Sequence, residues 1–199
     1  MVNRCDGFDF LYEMPDNLFY FYHIAHMAKH FEYGGCGIRS IIDLWILDNI
    51  ELVDIAKRDK LLQEGELLTF ANVVRKLSRV WFAGEEHDNV TRQMEEYILR
   101  GGVYGTSTNC IMVQQQKKGG KIKYALSKIF IQYDVIKFQY PILQKHRWLT
   151  PLMEVRRWCK LIFCGHLRRV TRELKYNSNI SNSEATNTQK FLCDIGLHI

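Results

Sequence analysis

Three histidines, His23, His26 and His30, stand at i, i+3 and i+7, which places them on one face of a helix. Past the turn Gly34-Gly35-Cys36-Gly37 come Arg39 and Asp43, again on one helical face at i and i+4. Antiparallel packing of the two segments would gather His26, His30, Arg39 and Asp43 into one polar cluster. A guanidinium and a carboxylate set among isoleucines call for pairing or a ligand, because an unpaired charge in apolar surroundings is costly. Three chemistries fit this pattern. In the first, Arg39 and Asp43 form a buried ion pair, and backbone carbonyls satisfy His26 and His30. In the second, Arg39 and the histidines bind phosphate or another anionic substrate. The third is a metal site through the His26-x-x-x-His30 spacing, although Met27 stands where an H-E-x-x-H helix carries its glutamate.

Such residues need helices to hold them, and the chain is written for helices. Only 3 of its 199 residues are proline, and apolar residues recur at helical spacing. The expected architecture is all-α: an irregular helical bundle with a basic helical C-terminal extension. Residues 1–14 read as a lead-in segment and 15–100 as the helical core. Residues 101–176 read as a basic, aromatic helical region, and 177–199 as a linker with a C-terminal helix. The first helix starts near Asp16 or Asn17, either of which can cap it, and stops at Gly34-Gly35. Helices follow at about 38–47, 51–64, 66–82 and 88–99. In the 66–82 helix, Leu67, Phe70, Val74, Leu77 and Trp81 form one apolar stripe. The Gly-rich segments at 34–37 and 101–105 match neither phosphate-loop pattern, so a tight turn is expected at 34–37.

The net charge of +5 conceals an asymmetry. Residues 101–176 carry 15 Lys and Arg against three acids, a balance of +12, while the remainder of the chain balances at −7. Between Lys117 and Arg172, basic residues alternate with Tyr124, Phe130, Tyr133, Phe138, Tyr140, Trp148, Trp158 and Phe163. That alternation suits an anionic membrane surface or single-stranded nucleic acid. The membrane is favoured because PLMEVRRWCKLIF (151–163) reads as a short amphipathic helix. The plainer alternative is a solvated basic face whose aromatics point into the core. Six cysteines without a C-x-x-C pair, and no secretory pattern after Met1, predict reduced thiols in a cytoplasmic protein. Peripheral attachment at the inner membrane face would follow if the basic region docks. No run of about 18 apolar residues predicts a membrane span.

The stretch HIAHMAKHFEYGGCGIRSIIDLWIL (23–47), with LRGGVYGT (99–106) and QQQKKGGKIKYALSKIF (114–130), resembles the C-terminal half of a bacterial nucleotidyltransferase family. Members of that family sit among cell-surface polysaccharide genes. The resemblance implies a partner: an N-terminal α/β core, in the same or a separate chain, with a Gly-Ser turn and an Asp-x-Asp pair. That pair would hold Mg²⁺ against a nucleoside triphosphate. This sequence contains neither Gly-Ser nor Asp-x-Asp, and Asp6 and Asp9 are three apart, on opposite sides of a strand. Two-metal nucleotidyl transfer needs such a carboxylate clamp. The expectation is therefore a helical, substrate-side region with no catalytic residue and no Mg²⁺ of its own. On that reading His26, His30, Arg39 and Asp43 line the substrate pocket.

Overall fold

A computed structural model describes residues 3–4, 12–50, 54–101, 107–163 and 167–197. The fold is all-α. A two-residue antiparallel ladder, Asn3–Arg4 on Tyr12–Glu13, is the exception among the described residues.

Five helices build the first half. Helix α1 (Asp16–Glu32) starts directly after Pro15, whose carbonyl accepts from the N–H groups of Leu18 and Phe19, both at 2.9 Å. Pro15, and neither Asp16 nor Asn17, is the capping residue. Asp16 instead lies in the first turn, where its charge suits the positive end of the helix dipole. Gly34 and Gly35, at φ +124° and +115°, let the chain reverse. The turn is buried against Asn109 and Cys110. The Asn109 side-chain amide donates to the Gly34 carbonyl at 3.3 Å, and a Cβ at Gly34 would meet the Cys110 backbone nitrogen at 3.0 Å. Residues 34–37 thus form the expected tight turn.

Helix α2 (Ile38–Asp48) packs chiefly on α4 (Leu68–Ala83), and α1 on α3 (Ile55–Glu64). Asp54 caps α3 (Ile55–Glu64) by accepting from the N–H groups of Ala56 and Lys57. Helix α4 (Leu68–Ala83) buries Phe70, Val74 and Leu77 completely, and Leu67 and Trp81 flank them half-buried. Helix α5 (Asn89–Gly101) adds Met94, Tyr97 and Ile98. Around Phe31 the rings interlock: Phe70 stands edge-on at 5.2 Å, and Tyr97 stacks at 5.5 Å while donating to the Phe31 carbonyl.

The second half has more pieces, the shortest of them in its middle. These are α6 (Ser107–Lys118), α7 (Lys121–Ile129), α8 (Tyr133–Gln139), α9 (Ile142–Lys145) and a 3-10 turn over Arg147–Leu149. Three further helices follow: α10 (Thr150–Phe163), α11 (Leu167–Asn179) and α12 (Asn182–Asp194). The polar stretch expected as a linker at 177–183 is largely helical. Helix α11 continues to Asn179, and only Ile180-Ser181 interrupt before α12, whose first turn is a Ser181–Glu184 capping box. The reason is tertiary. Asn177 is buried, accepts from Gln115 at 2.6 Å and donates to the Lys121 carbonyl, so its amide does not compete for its own backbone. Helix α12 is likewise no appendage, because Phe191, Leu192, Ile195 and Leu197 complete the core built by α1 to α5.

Candidate functional site

Around the helical turn of α1, Ile24, Met27 and Phe31 face inward, while Tyr22, His26 and Tyr33 face water. His23 sits at the edge, and its Nε2–H donates to the Ser40 carbonyl at 3.0 Å, tying α1 to α2. His26 and His30 meet one turn apart, Nε2 to Nε2 at 3.0 Å, with Tyr22 stacked on His26. Partial burial, then the neighbouring His26 and Lys29, hold the His30 pKa below the ordinary imidazole value.

Helix α2 turns Ile41 and Leu44 inward, which leaves positions 39 and 43 on its outer face. The Arg39 side chain is 91% exposed and stands 3.9 Å from Asp43. The buried ion pair expected as one alternative is therefore absent: α2 leans on α4 through the opposite face. A pair in water contributes about 0–1 kcal/mol. No hydrogen bond or ion pair joins His26 or His30 to Arg39 or Asp43 among the described residues. The four residues form two pairs on neighbouring helices.

In this half of the molecule the buried charge is elsewhere, around Asp48 and Arg58. Asp48, at the end of α2, accepts from the Tyr20 hydroxyl at 2.8 Å and from Arg75 Nε at 3.3 Å, with Arg58 Nη1 at 3.6 Å. The Arg58 side chain is only 5% exposed. It also donates to Asp59 and lies over the Tyr20 ring. Burial, then the Asp48 carboxylate, raises the Tyr20 hydroxyl well above the ordinary phenol value. A sequence signal existed. Asp48 continues the Ile41–Leu44 stripe, and Arg58 lies one turn before buried Leu62.

The basic region departs from expectation in a different way. Helix α10 forms, but Glu154 and Arg157 point in beside Met153 while several of its apolar residues point out. Glu154 and Arg157 are buried and bonded at 2.8 Å, while Leu152, Val155, Ile162 and Phe163 are exposed. The cause is the end of α7. Arg157 Nη2 and Trp158 Nε1 both donate to the Ile129 carbonyl, and Glu154 accepts from the Ile131 N–H at 2.9 Å. The rings divide likewise. Tyr124 is buried, whereas Phe138, Trp148 and Phe163 are 75%, 76% and 86% exposed, which overturns a wholly inward set of aromatics. Lys123, Lys145, Arg147, Arg156 and Lys160 also reach water. Arg147 lies over Tyr133 at 4.5 Å and Lys137 over Phe138 at 5.5 Å.

Three clefts of about 370–540 Å³ lie elsewhere. One between α5 and α12 is lined by Gln93, Arg100, Lys190 and Asp194, and the other two border α10 at Arg157 and Leu161. None contains the histidines, Arg39 or Asp43. Cys36, Cys110, Cys159 and Cys193 are free thiols, and burial pushes the Cys36 thiol up to about 12, away from thiolate chemistry. Among the described residues no three His, Cys, Asp or Glu side chains converge as a metal site. Asp6, Asp9 and residues 102–106 of the second Gly-rich segment lie outside the described residues. No helix among the described residues is long and apolar enough to cross a membrane. Comparison with known proteins returns no matching family model, no matching curated protein and no matching solved structure.

Proposed function

We propose that this chain is the helical region of a nucleotidyltransferase-family protein, and that the outer face of α1 and α2 is the wall on which a catalytic core closes. One observation carries the reading: on each of the two helices, exposed apolar residues accompany the motif side chains. Phe19, Tyr22, Tyr33, Ile38, Ile42 and Ile46 are each at least 40% exposed beside Arg39, Asp43 and His26. Apolar surface of this kind marks a place that a partner covers. In that role Arg39 contacts an anionic group of the substrate, and Asp43 orients Arg39 or a substrate hydroxyl. His26 and His30 line the pocket. The core supplies the Asp-x-Asp pair with its Mg²⁺. The test is transfer from labelled nucleoside triphosphates by the 199-residue chain, alone and with an Asp-x-Asp half encoded beside it. Transfer is expected only in the mixture, and Arg39→Ala should reduce it roughly tenfold or more, as loss of a charge-assisted hydrogen bond does. Robust transfer by this chain alone, or an inert Arg39→Ala, overturns the reading.

A second reading rests on the other half. Exposed Phe138, Trp148 and Phe163 among exposed Lys and Arg support attachment to an anionic membrane surface, peripheral at the inner face, and less well to nucleic acid. Each basic residue near such a surface contributes about 1 kcal/mol, and rings at the headgroup level add to it. Trp148 is available for this, whereas Trp158 is held by the Ile129 carbonyl. Sedimentation with anionic vesicles at low salt should capture the chain. Neutral vesicles or high salt should not, and Trp148→Ser with Phe163→Ser should weaken capture. Equal binding to neutral vesicles, or preference for single-stranded DNA, counts against it.

A further inference from the structure

We infer that His26 and His30 form a two-imidazole chelate for a divalent first-row transition metal, with Zn²⁺ as the reference ion. The inference goes beyond the reading above, since it needs neither a nucleotide nor a catalytic core. The two Nε2 atoms are 3.0 Å apart, with ring centroids at 4.4 Å and ring planes at 79°. Zinc–imidazole bonds are about 2.0–2.1 Å, so an ion bonded to both nitrogens would subtend an N–Zn–N angle of about 94°. First-row ions accept that angle in four- to six-coordinate geometry. The separation that holds one bridging proton is thus short enough for one ion, which sits beside the N–N line, so each ring turns to aim its lone pair at the metal.

The helix prepares the pair for this. His26 and His30 lie in the second half of α1, whose backbone is fixed by Ile24, Met27 and Phe31 on the opposite face. A chelate whose ligands are already in register loses little freedom on binding. Tyr22 stacks on His26 at 5.9 Å from the solvent side. His23 is not part of the set, because its Nε2–H is committed to the Ser40 carbonyl. Among the described residues no third His, Cys, Asp or Glu joins the pair, so water fills the remaining positions.

The chemistry balances simply. In the neutral pair one Nε2 carries the bridging proton and the other accepts it. As the metal binds, the donating ring gives up that proton and takes one on Nδ1, which leaves both Nε2 lone pairs for the ion. Two waters leave the metal, and no net proton is released. Imidazole selects Zn²⁺, Cu²⁺ or Ni²⁺, whereas Mg²⁺ and Ca²⁺ prefer oxygen ligands.

The experiment is titration of the nitrogen-15-labelled, reduced chain with Zn²⁺, following the imidazole nitrogens. The Nε2 resonances of His26 and His30 should shift together and saturate at one ion, while Mg²⁺ should leave both unmoved. His26→Gln and His30→Gln, checked for unchanged melting, should each weaken binding at the remaining imidazole by roughly 10²-fold, since the second ligand acts intramolecularly. Signals from the nitrogens separate this site from zinc held by exposed Cys159 and Cys193. Unmoved Nε2 resonances in the wild-type chain overturn the inference without recourse to any variant. So does wild-type affinity in either variant, or an equal response to Mg²⁺. Transfer assays do not enter, so failure here leaves the nucleotidyltransferase reading to its own test.

Discussion

Helices α2 and α10 pose the same problem, an apolar helix carrying acidic and basic residues, and solve it in opposite ways. In α2 the Ile41–Leu44 face goes to the core and the Arg39–Asp43 pair stays in water. In α10 the Glu154–Arg157 pair is buried, and Leu152, Val155, Ile162 and Phe163 face water. The difference follows from their neighbours. Helix α2 leans on the long, apolar α4, which offers a continuous surface for isoleucine and leucine. Helix α10 meets the end of a nine-residue helix, where backbone groups near Ile129 and Ile131 need polar partners. An ion pair goes inward where it satisfies backbone ends, and outward where apolar surface is on offer.

The contrast breaks most sharply at Asp48. Asp48→Ala removes the carboxylate facing Tyr20, Arg58 and Arg75, and leaves the nearly solvent-free Arg58 guanidinium with Asp59 alone. Its expected cost is about 3–5 kcal/mol, read by chemical denaturation. A loss no larger than that of a surface pair would mean the network is solvated. Next in size is Glu154→Ala, which strands Arg157 and the Ile131 N–H for an expected loss of about 2–3 kcal/mol. Amide exchange should quicken in α7 and α10 while α1 to α5 keep their protection. Uniform quickening would mean that both halves open together.

A smaller effect is expected at Asp88, which precedes α5. Its carboxylate bonds the Lys76 ammonium at 2.7 Å and accepts from the Thr91 N–H at 2.7 Å. Lys76 first, then Thr91, holds this carboxyl well below the ordinary carboxylate range. Since the folded state lowers the pKa, the stabilisation is present in full above the unfolded value, about 3.9, and is lost as pH falls through the folded one. Asp88→Ala should cost about 1 kcal/mol at neutral pH. The gap between its melting temperature and that of the wild type should narrow below about pH 4. A gap that widens in acid would reverse the assigned sign. Smallest of all is Arg39→Ala, expected to change stability by about 0–0.5 kcal/mol because its pair lies in water. A large loss there would show that Arg39 supports the fold.

Much of the architecture was legible in the order of residues. Apolar spacing at 3.6, scarce proline and paired glycines determined where α1, α2 and α4 run, because those signals act within one or two turns of chain. The stripe Phe70, Val74 and Leu77 is core as its spacing requires. The shared faces of His26 with His30 and of Arg39 with Asp43 are equally local, since four residues make about one turn. Tertiary structure alone decided what those faces meet. Which side of α2 leans on α4 set Arg39 and Asp43 in water, with no hydrogen bond to the histidines among the described residues, and no spacing rule contains that choice. Asp48, Arg58 and Arg75 come from three helices, so their network exists only once the helices pack. The inversion of α10 and the continuation of α11 through Asn177 share one physical reason. A polar side chain is buried where a distant backbone group or amide needs it, and that need is created by the fold.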